Sequence, residues 1–211
     1  FLRIFRPANS LRIKVMTTTS VLERISIPII RRKKFRVAQF HEMMKAGFLL
    51  EDSTTEIIEG ELIDKMGIGS RHAGTVNKLS RIMMVRVGEK AIVAVQNPVY
   101  LNEWNEPLPD ISILKPREDF YTESNPTPKD VLLVVEVSDS TVEYDREVKK
   151  TLYARAEIIE FWLVNLKQKV VEVHTQPENE SYRQIRLFGQ GEVLQPENLA
   201  DLKINVEEIL S

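Results

Sequence analysis

Cysteine is absent from the 211 residues, which excludes a disulfide framework, a thiolate metal site and a cysteine nucleophile. No apolar run approaches the roughly 18 to 20 residues that a membrane span requires, and the longest candidates, such as Val131 to Val135, are of strand length. Surplus charge is missing as well. The 29 lysines and arginines against 31 acids leave a formal net charge of −2, so no global basic field draws a polyanion, and any affinity for nucleic acid has to be local. Internal repeats and low-complexity blocks are lacking, and the ten prolines are scattered rather than gathered into a linker. These absences lead us to expect a soluble protein of a reducing cytoplasm, with no membrane and no organic cofactor among its partners.

Hydrophobic residues make up 43% of the chain, enough for one well-buried core at this length. Residues 1–30 are expected to stand apart from it. Their first half carries Arg3, Arg6, Arg12 and Lys14 without an acid, yet lacks the apolar core and cleavage site of a secretory signal. We read them as a poorly ordered extension or a mis-called start ahead of Met16, and residues 31–211 as the folded domain. The basic cluster Arg31, Arg32, Lys33, Lys34 and Arg36 reads as a solvated lead-in to a helix, with contact to phosphates as the alternative.

Residues 37–46 read as a short helix closed by Gly47, followed by a hairpin of residues 55–58 and 61–66 around Glu59-Gly60. Residues 71–87 repeat apolar side chains at Val76, Leu79, Ile82, Met83 and Val87, one face of a second helix that Gly88 stops. Residues 91–101 and 110–114 suggest another hairpin, residues 131–138 a strong strand, and residues 141–156 a third helix. Strands at 158–165, 169–175 and 181–188 complete the set. Early hairpins with one strand–helix–strand unit predict an α/β domain whose mixed sheet is flanked by helices.

The strand Val131 to Ser138 is nearly all apolar, as in a strand covered on both faces, and Glu136 interrupts it on the face of Leu132, Val134 and Ser138. A carboxylate there needs a cation or a donor. Asp110 follows Pro109 and opens the strand ending at Leu114. Two acids on neighbouring strands can bring their oxygens to one hard divalent cation. In the helix that comes next, about 100° per residue places Asp145, Val148, Lys149, Leu152, Tyr153 and Ala156 on one arc, with Glu147 and Lys150 outside it. This selects Lys149 over Lys150 as the lysine that faces the sheet. Each feature has a plainer reading by itself: a helix ion pair for Asp145 and Lys149, a backbone-bonded acid for Glu136, a post-proline turn for Asp110.

The ordered set Pro109-Asp110, Glu136-Val137-Ser138-Asp139-Ser140-Thr141, Asp145, Lys149, Tyr153-Ala154 and Glu160-Phe161-Trp162-Leu163-Val164 resembles the Uma-type restriction endonuclease family of the PD-(D/E)xK nuclease superfamily, over roughly residues 35–210. The resemblance implies a restriction-endonuclease-like fold and a metal-dependent endonuclease that hydrolyses DNA phosphodiesters. Asp110, Glu136 and the backbone carbonyl of Val137 would hold Mg²⁺, or Mn²⁺. Lys149 would assist with Asp145 holding it, and two copies would pair as a homodimer. Ser138 stands where the superfamily usually has its lysine, which in this family looks displaced to the helix. Glu157 stands where a glycine usually ends that helix, and Asn165 where an aspartate is common. Glu61, or Glu56 in the same hairpin, is a further candidate for a water-mediated metal contact beside the reading of both as solvated acids. His72 matches a family position, but a capping or core role is expected of it. The alternative function is a catalytically inactive nuclease fold that binds nucleic acid or acts as a homo-oligomeric interaction protein.

Overall fold

The structure is a computed structural model that describes residues 32–49, 54–64 and 69–210. The chain divides into Phe1–Lys33 and Lys34–Ser211, and the elements named below all belong to the second unit. The extension expected over residues 1–30 and the end of the first hairpin at Met66 lie outside the described residues. Among the described residues no helix is long and apolar enough to cross a membrane.

Helix α1, Val37–Lys45, buries Val37 and Phe40 against Ile57. The hairpin of β1, Thr55–Ile58, and β2, Glu61–Asp64, turns through Glu59 and Gly60. Gly60 has φ 76°, and a Cβ there would stand 2.9 Å from Lys34 Cβ and 3.0 Å from the Phe35 carbonyl, so both backbone conformation and close approach demand glycine. Helix α2, Ser70–Val87, presents Val76, Leu79, Met83 and Val87 to the sheet, the 3.6-residue stripe read from the sequence, and Gly88 caps it at φ 54°.

The main sheet has six strands in the order β3-β4-β5-β6-β7-β8. These are β3, Ile92–Val95; β4, Ile111–Leu114; β5, Val131–Ser138; β6, Glu160–Asn165; β7, Val170–Glu178; and β8, Ser181–Phe188. All neighbours are antiparallel except β5 and β6, which run parallel because a helical segment, α3 at residues 142–155, carries the chain back between them. The mixed sheet flanked by helices is the expected fold class. Two short strands, β9 (Val193–Leu194) and β10 (Ile204–Asn205), and helix α4 (Val206–Leu210) come after it.

Both faces of the sheet are covered. Leu133, Val135 and Val137 of β5, with Trp162 and Val164 of β6, pack under α2 and α4. Val134, Phe161 and Leu163 pack on the other side beneath Leu152, Tyr153 and Ala154 of α3. This double burial explains the continuous apolar run of β5 and places Glu136, in the alternation with Val134, on the α3 side. The expected second hairpin forms, β3 pairing antiparallel with β4, but its extent is corrected: the first strand ends at Val95 rather than Leu101, and residues 96–110 form an irregular strap. The strap is fixed by tertiary contacts, with Glu106 N donating to Ile57 O at 2.8 Å and Val99 N to Pro107 O at 3.0 Å.

Helix α3 is pinned to the sheet by Arg146, whose guanidinium donates to Glu172 on β7. Burial opposes ionisation of Glu172, but the His174 ring and the Arg146 guanidinium together bring its pKa from 4.5 down to about 2. A folded-state pKa below the unfolded one stabilises above about pH 4.5, and that stabilisation is lost as the pH falls toward 2. Allowing for the partial exposure of Arg146, we expect Glu172→Gln to cost about 2 kcal/mol at pH 7. The difference from wild type should narrow steadily below pH 4.5, measured by denaturant midpoints across that range.

Candidate active site

The chain leaves the strap through Pro109 and enters β4 immediately after Asp110, so Asp110 sits at the strand end beside Glu136 on β5. Ile111 pairs with Val135, and one step beyond that register the two acids are opposite one another. Backbone and side chains interlock there. Asp110 N donates to Glu136 Oε2 at 3.3 Å, and Val137 N donates to Asp110 Oδ2 at 2.9 Å. Leu166 N bonds the Ser138 carbonyl, which directs that residue's polar groups to β6 and those of Val137 to the β4 edge. The Val137 carbonyl therefore leaves the strand on the side where Asp110 lies.

Lys149 is the central cation. Its side chain has no exposed surface, its Nζ donates to Glu56 Oε2, and Glu136 Oε1 lies 3.5 Å away. The Tyr153 hydroxyl donates to Glu136 Oε1 at 2.6 Å. Burial first, and then the charge of Glu136, push the Tyr153 phenol well above 10, so it remains a donor. On the other flank, His72 Nε2 lies 2.9 Å from Asp110 Oδ2; the ring nitrogen is the donor because a carboxylate only accepts.

Asp145 is buried with Ser138 and Thr141 hydroxyls on its Oδ2, the latter at 2.8 Å. Burial raises its pKa against the lowering effect of those two hydroxyls and of Lys149. The residues Asp145–Lys149 form a π-helical turn, which keeps both side chains on the sheet side. Lys150 is half-buried and bonds none of the site carboxylates. Glu157, in the position expected of a glycine, takes the left-handed φ of 59° that a glycine would take.

Two expectations are corrected. Asp145 does not hold Lys149; Glu56 does, while Asp145 is engaged by Ser138 and Thr141. Glu56, rather than Glu61, reaches the site. The two share a face of the hairpin, but Glu61 pairs with Ile58 beside the turn, whereas Glu56, opposite Ile63, is two residues or about 7 Å nearer the cleft. Glu56 read as a solvated hairpin acid because a hairpin usually wets one face, but every residue of β1 is buried. Leu108 N of the strap also donates to Glu56 Oε2, at 3.0 Å. Tyr153 and His72 were missed as site residues. Tyr153 lay on the same helical arc as Lys149, and a buried phenol must find a partner, so that signal was present. Nothing in the spacing around His72 announced its bond to Asp110.

A cleft of about 490 Å³ opens on these groups, lined by Glu56, Asp64, Asp110, Glu136, Asp139 and Asp145 among others, with His72 at its wall. Carboxylates outnumber cations on that surface, and buried Glu56 Oε1 has no hydrogen-bond partner. Among the described residues no cluster of three or more Asp, Glu, His or Cys side chains forms a ready-made cage for an ion. The donors that fit a hard divalent cation are the two carboxylates of Asp110 and Glu136 and the carbonyl edge at Val137. Such a cation would also relieve the excess negative charge.

A six-stranded mixed sheet between helices, with paired acids at the end of its central strands and a lysine against them, defines a restriction-endonuclease-like protein. The chain belongs to the Uma2 family, described as "Putative restriction endonuclease", whose model matches residues 37–207. The resemblance seen in the ordered motifs is borne out. The crystal structure of "a putative nuclease belonging to DUF820" from Anabaena variabilis is similar at TM-score 0.59 and 15% identity. The match covers 74% of this chain and 89% of that one. No curated protein matches the chain.

The buried pair sets a stability test. Removing one partner of such a pair strands the other charge, so Lys149→Met is expected to cost about 3–5 kcal/mol in denaturant unfolding. Adding Glu56→Gln should recover part of that loss. A double variant whose loss equals the sum of the two single losses would show that Glu56 does not hold Lys149.

Proposed function

We propose that the chain is a metal-dependent nuclease that hydrolyses phosphodiester bonds of DNA. The observation that carries this reading is the fully buried Lys149 ammonium 3.5 Å from a Glu136 carboxylate that is itself locked to Asp110 at the head of an acidic cleft. Charges of this density inside a protein are costly unless they are paired or perform chemistry. Family membership supports the same reading.

Asp110, Glu136 and the Val137 carbonyl would hold Mg²⁺ or Mn²⁺. A divalent cation held there would supply polarisation of the scissile phosphate and a lowered pKa for a bound water. The protein's own groups do the rest. His72 and Val137 N fix the Asp110 carboxylate, and Tyr153 and Asp110 N fix that of Glu136. Lys149 donates to Glu56 and stands against Glu136, joining the two acids through one cation. An ammonium carries three donors; with Glu56 taking one and Glu136 paired at 3.5 Å, a remaining donor would orient the attacking water or bond a phosphate oxygen whose charge grows, once the groups that cover Lys149 shift to admit it. Asp145, raised in pKa and bonded by Ser138 and Thr141, shapes the turn from which Lys149 reaches inward.

Cutting both strands of a duplex takes two sites, so pairing of two copies is part of the proposal. The outer strand β8, with Ile185 and Leu187 exposed, offers an edge for it. Light scattering at tens of micromolar is expected to give the mass of a dimer; a monomer would remove the pairing and leave the site untouched.

Incubation with plasmid and with single-stranded DNA in Mg²⁺ or Mn²⁺ tests the activity. Titration calorimetry with Mn²⁺ tests the ligands: wild type is expected to bind and Asp110→Asn to lose binding. Lys149→Ala should lower cleavage by about a hundredfold or more, the scale of losing one donor aimed at developing charge, while Lys150→Ala stays within about twofold. Equal loss in both lysine variants would sink the role given to Lys149. Metal binding without cleavage of either DNA would leave the inactive nucleic-acid-binding fold instead.

A further inference from the structure

We propose that the outward face of α2 is the track along which the phosphate backbone of a DNA duplex leaves the cleft. The proposal rests on the nuclease reading for its polymer, and it names the surface that binds it.

Helix α2 contains Arg71, His72, Lys78, Arg81 and Arg86 and not one acid in its 18 residues, within a chain whose net charge is −2. At 100° per residue, Arg71, Gly74, Lys78, Arg81 and Val85 fall on one stripe about 80° wide. All five are exposed, opposite the buried Val76, Leu79 and Met83. The stripe begins at the site. Gly69 and His72 line the cleft, and Lys78 and Arg81 stand about 9 and 14 Å farther along the axis at 1.5 Å per residue.

Among the described residues many exposed arginines are answered by acids: Arg36 by Glu103, Arg86 by Glu208, Arg155 by Glu59 and, at the start of the stripe itself, Arg71 by Asp139, as is Lys90 by Asp201. Among the described residues Arg81 has no such partner. A shallow depression lined by Asn77, Lys78, Arg81, Ile82, Val85 and Arg86 lies along the same face. Gly74 adds an independent observation. Glycine is a poor helix former, and a Cβ at this position would meet nothing within 4 Å, so the fold gives no reason for it. A polymer backbone lying close to the helix does give one, because it needs the space a side chain would fill.

The electrostatics of the cleft favour such a track. Six carboxylates line the place where the scissile phosphate must go, and a divalent cation between Asp110 and Glu136 would offset only part of that charge, so holding the flanking phosphates elsewhere lowers the cost of bringing a polyanion in. Attraction at those phosphates supplies the binding energy that keeps the reacting one in place.

Binding of a fluorescein-labelled duplex, followed by anisotropy across a salt series with Ca²⁺ in place of Mg²⁺, tests this on the full chain. Each phosphate neutralised contributes about 0.9 to the slope of log affinity against log salt. Lys78→Ala/Arg81→Ala should therefore flatten the slope by about 1.8 and weaken binding at least tenfold at 0.1 M salt. Lys115→Ala/Lys129→Ala makes the same charge change at the opposite end of β4 and β5 and should bind as wild type does. Gly74→Leu should raise Tm and still weaken the duplex complex, which a purely structural glycine would not do. Wild-type affinity or slope in the Lys78/Arg81 variant, or equal loss in the Lys115/Lys129 variant, overturns the track. Hydrolysis of bis(4-nitrophenyl) phosphate by wild type with Mn²⁺ reports the cleft alone, since that diester is too small to reach α2. Its absence beside α2-dependent duplex binding would overturn the nuclease and leave the track standing.

Discussion

An ammonium group without any exposed surface can persist inside a protein only where carboxylates surround it, and Lys149 meets that condition through three separate parts of the chain. Glu56 comes from the first hairpin, Glu136 from the central strand, and the lysine from the helix that crosses the sheet. None of these contacts forms unless the hairpin, β5 and α3 are all in place, so the charge cluster couples the site to the packing of the domain. The strap adds a fourth part. Leu108 N bonds Glu56 two residues before Asp110 enters the site, and one stretch of irregular chain thereby fixes both acids. The surrounding apolar layer, with Leu152, Phe161 and Leu163 on the same face, lowers the local dielectric on the α3 side of the cluster and strengthens each of its interactions.

The sheet and its helices were legible because burial writes itself into sequence as a period. The run from Val131 to Val135 announced a strand covered twice, and the 3.6-residue repeat from Val76 to Val87 announced α2. The position of Lys149 was legible for the same reason, since its neighbours Leu152 and Tyr153 marked the buried side of α3. What escaped was set by partners far away in the chain. The strap has no period because most of its amides bond within the strap itself, with Glu106 reaching Ile57 of β1, and Glu56 looked like any hairpin acid because the strap and Lys149, which bury it, lie 52 and 93 residues on. The π turn at Asp145–Lys149 left no mark either; it replaces the four-residue hydrogen bonds of a helix without altering which side chains are apolar.

Ser138 is the residue on which the alternative of a silent nuclease fold rested, since a lysine usually stands there. Its hydroxyl is fully buried and donates to Asp145, which also receives Thr141, so this position organises the start of α3. An ammonium at 138 would lie beside Asp145 on the same face as Lys149, and two cations would then compete for Glu136 in one buried pocket. With Lys149 already 3.5 Å from Glu136 Oε1, the cation the site needs is supplied from the helix, and a small hydroxyl at 138 is what leaves room for the turn that delivers it. The serine is therefore accounted for by its bond to Asp145 at the start of α3.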